Sequence, residues 1–248
     1  MSRRFVFKIG DSDNMLHSLK PRSFSIDGKL IQTWIFDPPY NVGFDYDNVD
    51  DNMTDYDYSR FIQRNAEGMF NMTDEGGSMF LIHYTLPAAK LIPFIEAAGW
   101  NVHQWITWVY PHNMGMSNQR FTQGSRAVVW FTKGKPKVNI KAVKGQYKNP
   151  NDKRIKQRIE DGHAPALMDW WNINLRKNTS KGHRKYANQL PYELVKRLIL
   201  TTSDVDDWVG DCMAGSGTTL EVAKDFDRRV FLNDINPNSL DLWKGLIG

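Results

Sequence analysis

Asp207-Trp208-Val209-Gly210-Asp211-Cys212-Met213-Ala214-Gly215-Ser216-Gly217-Thr218-Thr219 passes from a short apolar run through a turn of small residues into the start of a helical pattern. Glycine lets a backbone approach a ligand closely, and a helix N-terminus offers unpaired N–H groups to an anionic group such as a carboxylate. Asp234, 23 positions after Asp211, ends the next predicted strand, where an acid can bond ribose hydroxyls. No lysine follows Gly217, which excludes a Walker-type phosphate loop, and Leu220 stands where the dinucleotide fingerprint needs its third glycine. The ligand implied is a nucleoside without a phosphate, held by a strand–turn–helix unit of an α/β sheet.

The rest of the chain agrees with that sheet. Strands are expected at Phe5 to Ile9, Gln32 to Phe36, Ser78 to His83, Val102 to Val109, Arg126 to Thr132, Asp207 to Asp211 and Arg229 to Leu232. Helices are expected after Gly10-Asp11, from Tyr58 to Phe70, from Leu86 to Ala98, from Pro191 to Thr201 and from about Thr218. Such alternation argues for a largely parallel sheet with helices on both faces. Only residues 133–180 look like an insertion, so the chain divides into a core half 1–132, a basic insert 133–180 and a second core half 181–248.

The second informative stretch is Asp37-Pro38-Pro39-Tyr40, which follows the expected strand ending at Phe36. Two successive prolines cannot continue a ladder or enter a helix interior, so this is a turn. Within four positions it supplies a carboxylate acceptor, carbonyls kept out of regular structure, and an aromatic ring. An exocyclic amine has two N–H donors and a weakly nucleophilic nitrogen. A site that accepts from both donors can hold the lone pair toward an electrophilic methyl, while a tyrosine stacks on the base. The plain alternative is a rigid β-turn.

Composition excludes several classes. Hydrophobic residues are 41% of 248, and no apolar run approaches the ~18 residues that span a bilayer. The basic start Met1-Ser2-Arg3-Arg4 is followed by an apolar stretch broken at Lys8, too short for a secretory signal, so a cytoplasmic protein is expected. The single Cys212 excludes an internal disulfide and fits a reducing compartment; with no histidine near it in sequence it reads as a buried hydrophobe and not a nucleophile. Six histidines show no paired ligand spacing, so no metal is expected.

The net charge of +4 is unevenly spread. Lys135, Lys137, Lys141, Lys144, Lys148, Lys153, Arg154 and Lys156 face a single acid, Asp152, between Gly134 and Gln157. Beside a base-modifying site these cations read as phosphate contacts that set register, extended by Arg120, Arg126, Lys181, His183, Arg184 and Lys185; otherwise they are a solvated face. The acid-rich stretch from Asp45 to Asp57 reads as a solvated loop or as a flap that orders when a base enters. Trp170-Trp171 reads as core packing in preference to a base-stacking platform.

Together the two motifs resemble the amino-methyltransferases of DNA, and their order, Asp-Pro-Pro-Tyr first and the glycine loop last, is similar to the beta-class permutation. The resemblance runs through Gly10-Asp11, Asp37 to Tyr40, Lys185 to Leu194 and Asp211 to Asp234. It departs from the family at Cys212-Met213, where Pro-Phe is common, and at Asn188-Gln189-Leu190-Pro191, where Thr-Gln-Lys-Pro is common.

It implies a Rossmann-like S-adenosylmethionine methyltransferase fold, with S-adenosylmethionine surrounded by Asp11, Asn188, Gln189, Asp211, Gly215, Ser216, Gly217, Thr218, Thr219 and Asp234. Asp37, Pro38, Pro39 and Tyr40 would line a base flipped from double-stranded DNA, and the basic insert would sit where the family has its target-recognition region. Asp at position 37 favours adenine N6 over cytosine N4 by family habit. A cognate restriction endonuclease and a homodimer are within what the family allows. Other readings are a catalytically silent DNA-binding relative and an RNA or protein amine as substrate.

Overall fold

Ile31–Phe36 is buried at every position but Gln32. A strand covered on both faces reads as a near-continuous apolar run, because neither side-chain direction meets water. In the computed structural model, which describes residues 4–20, 27–43, 51–110, 119, 121–145, 147–176 and 189–247, this segment is a central strand of one eight-stranded sheet.

The elements in chain order are β1 (Phe5–Ile9), α1 (Ser12–Ser18), β2 (Ile31–Phe36), α2 (Asp55–Asn71), β3 (Thr73–His83), α3 (Thr85–Ala97), β4 (Asn101–Val109), β5 (Ser125–Thr132), α4 (Lys153–Glu160), β6 (Trp170–Asn172), α5 (Tyr192–Thr202), β7 (Trp208–Asp211), α6 (Thr218–Asp225), β8 (Arg229–Asp234) and α7 (Ser239–Ile247). The sheet order is β1-β8-β7-β2-β3-β5-β4-β6. Only β5 runs against the others, pairing antiparallel with both β3 and β4.

Two apolar layers sandwich this sheet. On one face Leu16 of α1, Ile62, Ala66 and Met69 of α2, and Ala88, Leu91 and Ile95 of α3 pack on Trp34, Phe36, Met79 and Phe231. On the other, Leu194, Val195 and Leu198 of α5 and Val222 of α6 pack on Ile35, Phe80, Val128 and Val209. Trp243 of α7 joins Leu220, Val230 and Leu232 beside β1. Strand alternation explains the division: Trp34 and Ile35 are neighbours in sequence and face opposite layers.

Gly210 is required by packing. A Cβ there would lie 2.4 Å from the Trp34 ring, whose indole N–H is itself held by the Thr73 hydroxyl at 2.9 Å.

Trp171 is buried against this core, with Arg197 over its ring, whereas Trp170 is 55% exposed on the edge strand β6. The expectation of core packing holds for the second tryptophan only. Among the described residues, no helix is long and apolar enough to cross a membrane.

Candidate active site

Five strands adjacent in the sheet end along one carboxyl edge, and each delivers chemistry there. β1 leads into Gly10-Asp11, β8 ends at Asp234, β7 ends at Asp211, β2 leads into Asp37 and β3 ends at His83, followed by Tyr84. Register brings them level, with Ile9 beside Asp234 and Ile35 beside Asp211. From β7 the chain moves through α6 to β8 on one side, and from β2 through α2 to β3 on the other. Strand order reverses between β7 and β2, and in open α/β sheets ligands bind in the crevice at that point. The two motifs, 170 or more positions apart in sequence, therefore open side by side.

The glycine loop is closed by its own acids. Asp211 accepts from the Thr219 hydroxyl at 2.7 Å and the Met213 N–H at 3.1 Å. Asp234 accepts from the Gly215 N–H at 2.7 Å and the Asn236 N–H at 2.8 Å. Gly217 opens α6 at φ 83°, and a Cβ there would lie 2.8 Å from Trp243. No side chain caps this helix, so its first N–H groups remain for a ligand.

Asp11 caps α1 through the Asn14 N–H at 2.8 Å, and the preceding Gly10 N–H bonds the Asp234 carbonyl at 2.9 Å. Ser216 and Thr218 approach each other at 3.4 Å, and the Thr218 hydroxyl bonds the Leu190 carbonyl at 3.3 Å, which sets Gln189 next to the loop. Asn188 lies outside the described residues.

Burial pushes Asp211 up to about 7, with Asp37 and Asp234 adding to the shift and the Thr219 and Met213 bonds opposing it. Burial likewise raises Asp234. Among the described residues neither acid, nor Asp37, has an ion pair with a Lys, Arg or His. The edge thus gathers buried carboxyl groups, each held by hydrogen bonds and none with a cationic partner among the described residues.

The Asp37–Tyr40 turn is braced from several sides. The Tyr40 hydroxyl donates to Asp37 at 2.6 Å, and the Pro39 carbonyl accepts from the Tyr58 hydroxyl at 2.6 Å. Because that hydroxyl spends its proton on Pro39, the contact of 2.9 Å between Tyr58 and His83 Nε2 makes the imidazole the donor. Burial lowers His83 to about 4, so it is neutral at working pH. Buried Asp51 takes the N–H groups of Asn41 and Val42 at 2.7 and 3.1 Å, and the Asn41 amide pairs with the Met53 backbone. Asp51 thus belongs to the scaffold of the turn, while Asp45, Asp47 and Asp50 lie outside the described residues. Burial raises Asp37 to about 6, opposed by the Arg126 charge and the Tyr40 hydroxyl. The Tyr40 ring is 4% exposed and packed against His83, Tyr84 and Arg126. A base can stack on it only after one of these neighbours yields.

A family model described as DNA methylase, of the N6/N4 methyltransferase type, matches residues 31–244. The chain belongs to the N6/N4 DNA methylase family. These are S-adenosylmethionine-dependent amino-methyltransferases. Among its relatives, the type II methyltransferase M1.MboII of Moraxella bovis is 26% identical over 90% of this chain and 92% of its own length. The type II methyltransferase M.HpaI of Haemophilus parainfluenzae is 26% identical over 93% of this chain and 71% of its own. In fold the chain is similar to the cytosine-N4-specific PvuII DNA methyltransferase, at a TM-score of 0.73 and 17% identity over 100% of this chain and 89% of that one. It is also similar to the M1.HpyAVI complex with S-adenosylmethionine, at 0.66 and 18% over 98% and 99%.

In this DNA methylase the basic segment is not one uniform surface. Lys137 lies 2.6 and 2.7 Å from Asp204 and Asp207, which precede β7 at the amino edge of the sheet, and the Asn139 N–H bonds the Thr201 carbonyl. Lys137 is therefore committed to an internal ion pair, and it and Lys135 lie at the end of the sheet opposite Asp37, because β5 returns the chain there. Arg126, read as an extension of the phosphate contacts, is 5% exposed and enclosed by aromatic rings, which removes it from any DNA-facing surface. Lys141, Lys144, Lys148, Lys153, Arg154 and Lys156 are exposed, as is Arg158, which the sequence reading passed over. No residue of α4, which carries the last four of these, is buried. Arg120, Lys181, His183, Arg184 and Lys185 lie outside the described residues.

Cys212 is fully buried and burial raises its thiol far above the ordinary value, so it stays protonated. Among the described residues no group of three or more His, Cys, Asp or Glu could hold a metal ion. Tyr58 and His83 are site residues the sequence reading missed, while Asp51 was read only within an acid-rich loop and Arg126 as a phosphate contact. His83-Tyr84 could have been found, since they stand at the carboxyl end of an expected strand as Asp37 does at the end of another.

Proposed function

We propose that this chain transfers the methyl group of S-adenosylmethionine to the exocyclic amine of a base flipped out of double-stranded DNA, adenine N6 being the target. The observation that carries the reading is the register that sets Asp211 beside Ile35, so that the glycine loop and the Asp37–Tyr40 turn share one crevice.

S-adenosylmethionine, when bound, supplies an electrophilic methyl group on a cationic sulfur. The site's chemistry fits it: Asp211 and Asp234 are buried acids without a cationic partner among the described residues, and an ammonium, a sulfonium and ribose hydroxyls are what such acids accept. Gly215, Ser216, Gly217, Thr218 and Thr219 would shape the floor, with the α6 N–H groups turned to the ligand carboxylate. Asp11 and Gln189 would stand at its sides.

Asp37 and the Pro38 carbonyl would accept the two N–H bonds of the amine and hold its lone pair in line with the methyl carbon. Alignment then supplies most of the acceleration, with no covalent protein intermediate. Bonding of the amine nitrogen to the methyl carbon, as the carbon–sulfur bond breaks to leave a neutral thioether, would make that nitrogen cationic; the Asp37 carboxylate would stabilise the charge until one proton is lost to solvent water. The exposed cations of the insert 133–180 from Lys141 to Arg158 would track phosphates. Cytosine N4 presents the same amine, and Asp at position 37 is what favours adenine.

Labelled S-adenosylmethionine and mixed-sequence duplex DNA, followed by digestion to nucleosides, test all of this. N6-methyl-2′-deoxyadenosine is the expected product. N4-methyl-2′-deoxycytidine would move the target, and no labelled nucleoside would overturn the reading.

A further inference from the structure

Arg126 on β5 is a buried cation that the proposed transfer leaves without a role. It is 5% exposed, and its guanidinium lies 4.8 Å from the Tyr40 ring, 5.3 Å from Trp108, 5.5 Å from Tyr110 and 5.6 Å from Tyr84. It hydrogen-bonds the Tyr110 side chain, yet among the described residues it has no ion pair and its Nε–H has no acceptor. Buried charges are ordinarily paired, and an arginine kept in an aromatic cage without a carboxylate partner is costly to the fold. Guanidinium stacks on aromatic faces and stays charged in burial, which lysine does not do as well.

The cage opens onto the Asp37–Tyr40 turn. Asp37 accepts from the Tyr40 hydroxyl at 2.6 Å, the Tyr40 ring lies against the Arg126 guanidinium of β5, and from the neighbouring strand β7 the buried Asp211 feels the Asp37 charge. Behind Tyr40 stand Tyr84 and neutral His83 at the end of β3, with Tyr58 of α2 bonded to His83 and Asp51 acting on it. Tyr110 completes the far side of the guanidinium. Arg126 is the one cation in this set.

We propose that Arg126 is a positioning residue for methyl transfer: caged behind the turn, it keeps the Asp37 carboxylate ionised and the Tyr40 ring seated, so that Asp37 meets the incoming amine as an acceptor. This rests on reading Asp37 as the amine acceptor. Among the influences on Asp37, the Arg126 charge is the largest that opposes burial, ahead of the Tyr40 hydroxyl. A protonated Asp37 would offer a donor to an amine that needs an acceptor.

The test compares the parent with Arg126→Met, Arg126→Gln and Arg126→Lys. Two readouts are taken across pH: single-turnover methyl transfer to DNA, and the carboxylic-acid infrared band of Asp37 in the free protein, assigned by its loss in Asp37→Asn. The neutral variants should move both the acid limb of the rate and the Asp37 titration upward by about 1–3 pH units, the effect of an opposite charge nearby. Their rate deficit should shrink by about tenfold or more toward alkaline pH, where Asp37 ionises unaided. Arg126→Lys should fall between the parent and the neutral variants in both, since an ammonium keeps its charge in burial less well than a guanidinium.

A deficit of equal size at every pH, with the Asp37 band titrating as in the parent, would make Arg126 a packing residue and overturn the proposal. If Arg126→Met does not fold, the Gln and Lys variants decide between charge and packing. Should the parent itself transfer no methyl to DNA, the functional reading fails, and the infrared titration still decides whether Arg126 controls Asp37.

Discussion

Asp211→Asn should stabilise the free protein at alkaline pH. Asp211 is 4% exposed and has no cationic partner among the described residues, and burial raises it from 3.8 to about 7. A carboxyl group whose folded value lies above its unfolded one contributes stability below the unfolded value, and that contribution is lost as pH rises through the folded one. The window here runs from about pH 4 to about pH 7, and the full shift corresponds to about 4 kcal/mol of destabilisation above it. Between pH of about 5.5 and about 8.5 the change amounts to about 2 kcal/mol, or about 4–8 °C in Tm for a chain of this size. Asparagine keeps the shape and an acceptor for Thr219 while removing the charge.

Thermal unfolding of parent and variant at the two pH values is the assay. The variant's advantage should be about 2 kcal/mol larger at the alkaline value. S-adenosylmethionine should reverse the ranking, because a cationic ligand relieves the acid it binds: its Tm increment should grow with pH in the parent and stay flat in the variant. A parent and a variant whose stabilities run parallel across pH would refute the argument, and with it the picture of Asp211 as an acid left uncompensated in the free protein.

Asp37→Ala should lower methyl transfer by about a hundredfold or more while leaving cofactor affinity within about twofold, since it removes a charged acceptor used in the transition state; retention of the parental rate would make Asp37 a turn residue. In the parent the rate should rise with pH through about 6 as Asp37 becomes a carboxylate, measured as a pH–rate profile under saturating DNA. Replacing Lys141, Lys144 and Lys148 by alanine should weaken binding to all duplexes and reduce the slope of log affinity against log salt by about three times 0.9 if each meets one phosphate. An unchanged slope would make them a solvated face.

The fold was readable because its signals are local. β-strand periodicity and the proline pair placed β2 and its exit, and the small-residue turn placed β7 and α6, to within a few residues of the observed bounds. Trp170 against Trp171 was not readable, since adjacent residues of a strand face opposite ways and only the edge position of β6 decides which is wet. The supports of the turn were also hidden. Tyr58 looks like any buried helix residue until β3 brings His83 within 2.9 Å of it, and Asp51 looks like one more acid in a charged loop until it takes two backbone N–H groups. Lys137 counted as a basic residue in the segment, but its partners Asp204 and Asp207 are about seventy positions away in sequence. In each case the missing information is a long-range pairing that one-dimensional charge or periodicity does not carry.

The same pairings explain why so many polar groups are spent on four residues. A turn containing two prolines has few N–H groups with which to anchor itself, so its position must be set through carbonyls and side chains. Tyr58 grips the Pro39 carbonyl, Tyr40 reaches back to Asp37, and Asp51 fixes the backbone just beyond at Asn41, whose φ of 54° marks the sharp exit. These anchors come from α2, from the segment just before it and from the turn itself, with His83 of β3 holding Tyr58, so Asp37 is braced against elements on its own side of the sheet's switch point. The glycine loop is braced separately, by Asp234 of β8 and Trp243 of α7. The two halves meet along the β2–β7 pairing and through α5, which packs on strands of both, so on the proposed reading the alignment of amine with methyl depends on that strand pair, where Gly210 leaves room for the Trp34 ring against the backbone. Gly210→Ala should therefore disturb transfer through register more than either ligand's binding, a split visible as a fall in kcat with little change in either dissociation constant. Equal losses in binding and rate would show instead that one of the two halves had come apart.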